Sequence, residues 1–255
     1  MILWLDLETF SRCDIKKCGG YRYAEDPSTE ITLFGYAVGN EPAKVWDLTL
    51  DVGMPEDLRE AVNNPETVFI AHNSMFDRNV LKHKLGAPFG DPKRWKDTMI
   101  LAYSVGLPGA LGLLSEVLGL PQDKAKDKDG HRLVLKFCKP TAAEKRWTRE
   151  NAPEDWSRFV NYCRLDVEAM REMTKRIYAW NSTSQMWADW HCDQIINDRG
   201  IKIDMELVAG ALKCADYVKA KGDKEMQEAT GGFVETAMQR DELLKHILFR
   251  YGVSL

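Results

Sequence analysis

A mixed α/β fold, with its sheet built early in the chain and helices added after it, is predicted by three observations. Strand-like segments crowd the first 73 residues. The last of them, the continuous apolar run TVFIAHN at 67–73, leads without a break into a helical pattern. From Pro153 onward apolar residues recur at helical spacing, with almost no alternation. Strands first and helices later around one mixed sheet give an α/β architecture, here with a helical extension at the C-terminal end.

Each element has its own justification. Residues 1–7 are nearly all apolar and read as a buried strand. EITLFGYAVG (30–39) and AKVWDLTL (43–50) carry β-branched and aromatic residues with turn residues between them, as successive strands do. PEDLREAVNN (55–64) is a short helix opened by proline. The run at 67–73 is a strand of the sheet interior. SMFDRNVLKHKL (74–85) is a helix stopped by Gly86. Helices are expected at 96–105, 110–118 and 141–149, and a long one runs from Pro153 to Trp180. After Asn181 the pattern is helical except for a short IKID (201–204), so a first domain is expected at 1–181 and a helical segment at 185–255.

Composition excludes several classes. Of 255 residues 44% are hydrophobic and 29% charged, which describes a globular chain and not a disordered one. No apolar run approaches the roughly 20 residues of a membrane helix, and no basic segment precedes the first strand. Cys13, Cys18, Cys138, Cys163, Cys192 and Cys214 show no CxxC pairing, and free thiols in a reducing compartment are the simplest account. The net charge of −4 does not announce a nucleic-acid binder. Yet residues 122–147 hold eight Lys/Arg against four Asp/Glu, either a solvated face or a patch that meets phosphates.

The first strand ends in two carboxylates, Asp6 and Glu8. Side chains alternate along a strand, so both project from one face, about 7 Å apart along it. Alone such a pair means little. Asp77 lies in the first turns of the helix after the 67–73 strand, where an acid also favours the helix dipole, and Asn73 at that junction suits an N-cap. On the long helix Tyr162 and Asp166 are four residues apart and share a face. They lie at the edge of its apolar side.

Taken together, D-x-E-T on a first strand, N-x-x-x-F-D at a strand–helix junction and Y-x-x-x-D on a late helix resemble one family. It is the 3′–5′ proofreading exonuclease domain of family A DNA polymerases, of bacteriophage type, within the RNase H-like DEDD exonucleases of the tyrosine subtype. The segment DLETFSRCDIKKCGGYRYAEDPSTEI is similar to the phage form, and Asp97-Thr98 matches a supporting Asp-Thr pair. The histidine subtype fits less well. His72 and Asp77 have its spacing, but Asp77 is then consumed with no later aspartate to replace it.

The resemblance implies an RNase H-like sheet flanked by helices and a 3′→5′ exonuclease acting on DNA. It implies two divalent ions, Mg²⁺ with Mn²⁺ also serving, held by Asp6, Glu8, Asp77 and Asp166. Asp6 would bridge the ions, Glu8 and Asp166 would complete the water-activating site, and Asp77 would act largely through water. Tyr162 would orient the attacking water. Thr9, Asn73 and Phe76 would touch the terminal nucleotide, and Phe137 is a looser candidate for stacking on a frayed base. The implied partners are single-stranded DNA or a frayed 3′ end, and a polymerase module in cis or as a separate subunit, with no membrane. The implied setting is the cytoplasm of a bacterial or phage-infected cell. WHCDQIINDRGIKIDMELVAGAL resembles the start of a polymerase thumb, and the chain is expected to be a piece of a polymerase or the exonuclease subunit of a split one. Gly252 reads as a helix C-cap. Two other readings are an RNA exonuclease like ribonuclease D and a catalytically silent DNA-positioning module.

Overall fold

The structure, a computed structural model, describes residues 1–120, 130–141 and 145–254. The basic stretch at 122–147 and the helix expected at 141–149 therefore lie partly outside the described residues.

Five strands form one sheet: β1 (Ile2–Phe10), β2 (Glu30–Val38), β3 (Lys44–Asp47), β4 (Val68–Ala71) and β5 (Trp95–Asp97). Their order is β3-β2-β1-β4-β5. β2 runs antiparallel to β1 and to β3, whereas β4 is parallel to β1 and β5 to β4. This is a mixed sheet of the kind that the sequence predicts. The alternation of β1 sorts its side chains. Leu3, Leu5 and Leu7 enter a core with Leu58 and Ala61 of α2 (Glu56–Asn63) and Val80 and Leu81 of α3 (Ser74–Lys84). Trp4 packs with Val167, Met170 and Met173 of α7 (Pro153–Arg176), so the even-numbered face, which carries Asp6 and Glu8, looks toward α7.

One glycine sets how closely α7 approaches. Gly35 stands opposite Asp6 in the β1–β2 register. A Cβ there would lie 2.9 Å from the Cys163 sulfur, 3.0 Å from the Cys163 carbonyl oxygen and 3.1 Å from a Val167 methyl. The helix thus rests on the strand with no strand side chain between them, one of the uses of glycine inside a strand.

Several boundaries differ from expectation, each for a local reason. Residues 15–25 form a helix, α1 (Ile15–Glu25), that lacks amphipathic periodicity and is broken at Gly19, with φ +79°. β5 replaces the start of the helix expected at 96–105, and Asp97 then caps α4 (Thr98–Tyr103) by accepting from the Met99 N–H at 2.8 Å. α5 (Leu111–Val117) falls where a helix is expected, and α6 (Gly130–Phe137) was not anticipated. Among the described part of 141–149 there is no helix. Thr141 and Asn151 use their side chains on nearby backbone groups, accepting from the N–H of Lys145 (3.1 Å) and Thr148 (2.8 Å), which competes with helical bonding. IKID is not a strand. Asp204 ends it by accepting from the N–H groups of Glu206 and Leu207, capping the next helix.

The chain divides into two compact units, Met1–Asp198 and Arg199–Leu255. The expected boundary at 181–185 is thereby displaced to 198/199, because α8 (Ser184–Arg199) packs with the first unit. Trp187 and Trp190 are buried in the core of Leu3 and Leu5. Asp198 accepts from Tyr21 at 2.9 Å and from both terminal nitrogens of Arg78, a guanidinium that is fully buried and also donates to Gln194. Ile195 and Ile196 on the same helix are more than 40% exposed (43% and 45%), because its packed side follows Trp187, Trp190 and Gln194. The second unit holds α9 (Met205–Thr230) and α10 (Arg240–Tyr251), the latter ending at Gly252 in left-handed geometry, φ +67°.

Replacing Gly35 with alanine should force α7 away from the sheet. Overpacking of this kind costs about 1–3 kcal/mol. Urea denaturation should show that loss, and an unchanged midpoint would mean that α7 is not seated on the strand.

Candidate active site

Asp6, Glu8 and Asp166 converge because β1 presents its even-numbered residues to α7 and Gly35 lets α7 come close. One carboxylate oxygen from each lies within 4.8 Å of the others, and Glu8 and Asp166 are buried. Among the described residues no other cluster of His, Cys, Asp and Glu is gathered this tightly. Unscreened, three like charges at this spacing repel strongly, so they are stable together when a cation shares them or when protons are retained.

Asp77 reaches the same region from the first turn of α3 but stands outside that group of three. β4 pairs with β1 only as far as Trp4, so the edge of β1 beyond it opens, and the Leu7 N–H donates to the Asp77 carboxylate. Asp77 is almost fully buried. Its carboxyl is pushed well above the ordinary range, first by burial, then by the charges of Asp6 and Asp97.

The turn that aims α3 is held by Asp97. Asn73 is the one non-glycine residue with positive φ, +65°, among the described residues. Asp97 accepts from the Asn73 N–H (3.0 Å), the Ser74 N–H (2.7 Å) and the Ser74 hydroxyl (2.9 Å). A buried acid therefore replaces the side-chain cap that Asn73 was expected to supply, and the Asn73 side chain makes no capping bond. His72 is also committed. Its Nε2 donates to the Gly109 carbonyl at 2.6 Å, which leaves Nδ1 in the neutral ring to accept from Thr98 at 2.8 Å. That structural role fits the rejection of the histidine-subtype pattern.

Tyr162 is 3% exposed and hydrogen-bonds the Asp166 side chain. Its ring stacks on Phe159 at 6.3 Å between centroids. Gly130 covers the ring so closely that a Cβ there would overlap it. Burial, followed by the charges of Asp166 and Glu8, drives the phenol far above its usual value. It holds its proton at any physiological pH and is a hydrogen-bonding group, not a base.

Two thiols also border the carboxylates. Cys138 lies 3.6 Å from Glu8, and burial with the Glu8 charge pushes its thiol up. Cys163, beneath Asp6, is raised by burial in the same way. Protonated sulfur is a poor metal ligand, so the donor set is hard oxygen.

Beside Glu8 opens a cavity of about 250 Å³ lined by Thr9, Cys13, Ile15, Tyr23 and Phe76 among others. Thr9 and the Tyr23 hydroxyl are 2.8 Å apart, and Phe76 lies against the Tyr23 ring at 5.7 Å. Thr9 and Phe76 thus line the space beside Glu8. Phe137 does not. It is 1% exposed and packed between Trp156 and Phe159, so no face of its ring is open to a base. Sequence reasoning missed Gly35 and Cys138. A glycine inside a strand was the available signal for the first; nothing in spacing or pattern marks the second.

No protein-family model matches the chain. A DNA polymerase of Bacillus phage SP02 is 35% identical over 235 residues, 90% of this chain. The chain is homologous to part of a phage DNA polymerase. It spans 36% of that polymerase's length. Similar solved structures include Escherichia coli RNase D, with 16% identity and a TM-score of 0.46 over 79% of this chain and 46% of that one. Brucella melitensis NrnC with bound Mg²⁺ has 14% identity and a TM-score of 0.46 over 76% of this chain and 82% of that one. No helix among the described residues is long and apolar enough to cross a membrane.

The raised carboxyl of Asp77 gives a pH signature without metal. The folded protein keeps a proton that the unfolded chain releases near pH 4. Stability therefore falls as pH rises above that point toward the folded value. In chelator, Asp77→Asn should melt higher than the parent at pH 7–8, with the gap closing toward pH 4. A gap that is constant with pH, read from thermal melts, would contradict the burial of an acid at this position.

Proposed function

We propose that the chain is a 3′→5′ exonuclease, dependent on two divalent cations, that removes nucleoside 5′-monophosphates from single-stranded or frayed DNA ends. It would serve as the proofreading part of a phage DNA polymerase inside an infected bacterial cell. The polymerase module would lie in cis or on a separate subunit. The observation that carries this reading is the convergence of Asp6, Glu8 and Asp166 within 4.8 Å beside Tyr162, on a chain related to a phage polymerase.

The donor set suits the ions. Mg²⁺ and Mn²⁺ prefer oxygen ligands and keep several waters, so a few carboxylates suffice. Asp6, Glu8 and Asp166 would hold one ion. Asp77 would serve a second, shared through Asp6, the carboxylate with which it interacts electrostatically. When bound, such ions lower the pKa of water and stabilise charge on the attacking and leaving oxygens of an in-line displacement at phosphorus.

The protein's own groups supply position. With its proton committed to Asp166, the Tyr162 hydroxyl has lone pairs left to accept a hydrogen bond, and it can fix the orientation of an attacking water. The cavity beside Glu8 would receive the terminal nucleoside, with Phe76 and Ile15 against the apolar parts and Thr9 offering a hydroxyl. The Asn73 side chain would add a further polar contact. Met1–Asp198 would contain the whole nuclease, and Arg199–Leu255 would belong to helices that lead toward a polymerase thumb.

The test is single-turnover hydrolysis of a 3′-labelled oligonucleotide at saturating Mg²⁺. Chelator, Asp6→Ala and Asp166→Ala should each abolish nearly all cleavage. Tyr162→Phe should cost less, about 10²–10⁴-fold at most, the size of a lost acid–base or orienting group. Activity of Asp166→Ala within about tenfold of the parent, a barrier change of only about 1.4 kcal/mol, would sink the metal assignment. An RNA oligonucleotide of the same sequence at equal salt completes the comparison, since phosphate-driven binding varies steeply with ionic strength. Faster cleavage of the RNA would overturn the DNA reading.

A further inference from the structure

Cys13 and Cys18 carry no role in the chemistry above, yet the fold brings them together. Cys13 precedes the helix cap Asp14, and Cys18 closes the first turns of α1 just before the break at Gly19. With Asp14 as the N-cap, Cys13 precedes the cap and Cys18 is the fourth helical residue, two positions that the first turn of a helix brings side by side. The two sulfurs lie 2.7 Å apart, both half-buried. A disulfide places sulfurs at about 2.05 Å, so the pair is within a small displacement of bonding distance. Cys13 also lines the cavity beside Glu8 and Thr9, together with Ile15, Tyr23 and Phe76.

We propose that Cys13 and Cys18 are a modification site, a dithiol that a low-molecular-weight disulfide converts to an intramolecular disulfide in the wall of this cavity. The step balances as two exchanges. One cysteine sulfur attacks a sulfur of the reagent, breaking its S–S bond and releasing one thiol. The second cysteine then attacks the first, forming the protein disulfide and releasing the other thiol. Two electrons pass from the protein to the reagent, and the two cysteine protons end on the released thiols. The Cys13 thiol is pushed up to about 11, chiefly by its hydrogen bond with Cys18, and either sulfur can make the first attack because each stands within reach of the other.

The measurement is peptide mass analysis of the full chain after treatment with oxidised glutathione, then after dithiothreitol. The segment holding Cys13 and Cys18 should lose two hydrogens and carry no glutathione. The exposed Cys192 and Cys214 should carry the mixed disulfide. Dithiothreitol should reverse both. In Cys18→Ser, Cys13 should be left as the thiol or as a glutathione adduct, with no intramolecular link. A glutathione adduct retained on Cys13 or Cys18 of the parent, or both left as thiols while Cys192 reacts, would overturn the site. A second arm rests on the proposed nuclease reading. The linked form should cleave DNA more slowly under single turnover, with the rate restored by dithiothreitol and unaffected by the reagent when Cys13 and Cys18 are both replaced by serine. If the link forms and the rate stays the same, the disulfide stands and its reach into the cavity is refuted; if no form cleaves DNA, the nuclease reading fails while the mass result still decides the disulfide.

Discussion

The close approach of α7 to β2 over Gly35 is the contact on which the arrangement of this molecule depends. A helix normally stands off a sheet by the thickness of its side chains. Here a strand residue without a side chain lets the Cys163 backbone and Val167 rest against the strand directly. Gly35 sits across from Asp6, so the point of closest approach is also the point where Asp166 is delivered to the acids of β1. Packing and chemistry are set by the same missing Cβ.

That approach carries an electrostatic cost. Three carboxylates share a partly buried space, with Asp77 nearby and Tyr162 and two thiols kept protonated around them. The rest of the fold secures this arrangement against its own repulsion. Asp97 locks the turn before α3 with three hydrogen bonds, and the buried Arg78 ties α3 to Asp198 and Gln194. Removing one partner of a buried ion pair costs about 3–5 kcal/mol, so losing Arg78 or Asp198 would loosen α8 from the sheet-bearing unit.

Much of this was legible in the sequence because it follows from period. The two-residue repeat of a strand places Asp6 with Glu8, and the four-residue repeat of a helix places Tyr162 with Asp166. Continuous apolar runs located β1, β2 and β4. What escaped depends on contacts across the chain. α1 has no amphipathic period and is broken at Gly19. The residues before α7 follow side-chain bonds to Thr141 and Asn151 that no propensity reports. Phe137 near a run of lysines reads like a stacking residue, yet Trp156 and Phe159 draw it into the core. The unit boundary moved because Trp187, Trp190 and Asp198 find partners far away in sequence. The Cys13–Cys18 proximity likewise depends on the first turn of α1, which Asp14 caps.

The central claim is that the gathered carboxylates are a cation site. Thermal melting of the full chain across a Mn²⁺ titration, without nucleic acid, tests it most directly, since a ligand bound only by the folded state stabilises by RT ln(1 + [L]/Kd). The parent should melt progressively higher as Mn²⁺ rises. Asp166→Asn, which keeps the shape and removes the charge, should start at or above the parent in chelator and respond far less. Equal responses of the two proteins to Mn²⁺, or no response of the parent, would contradict the account.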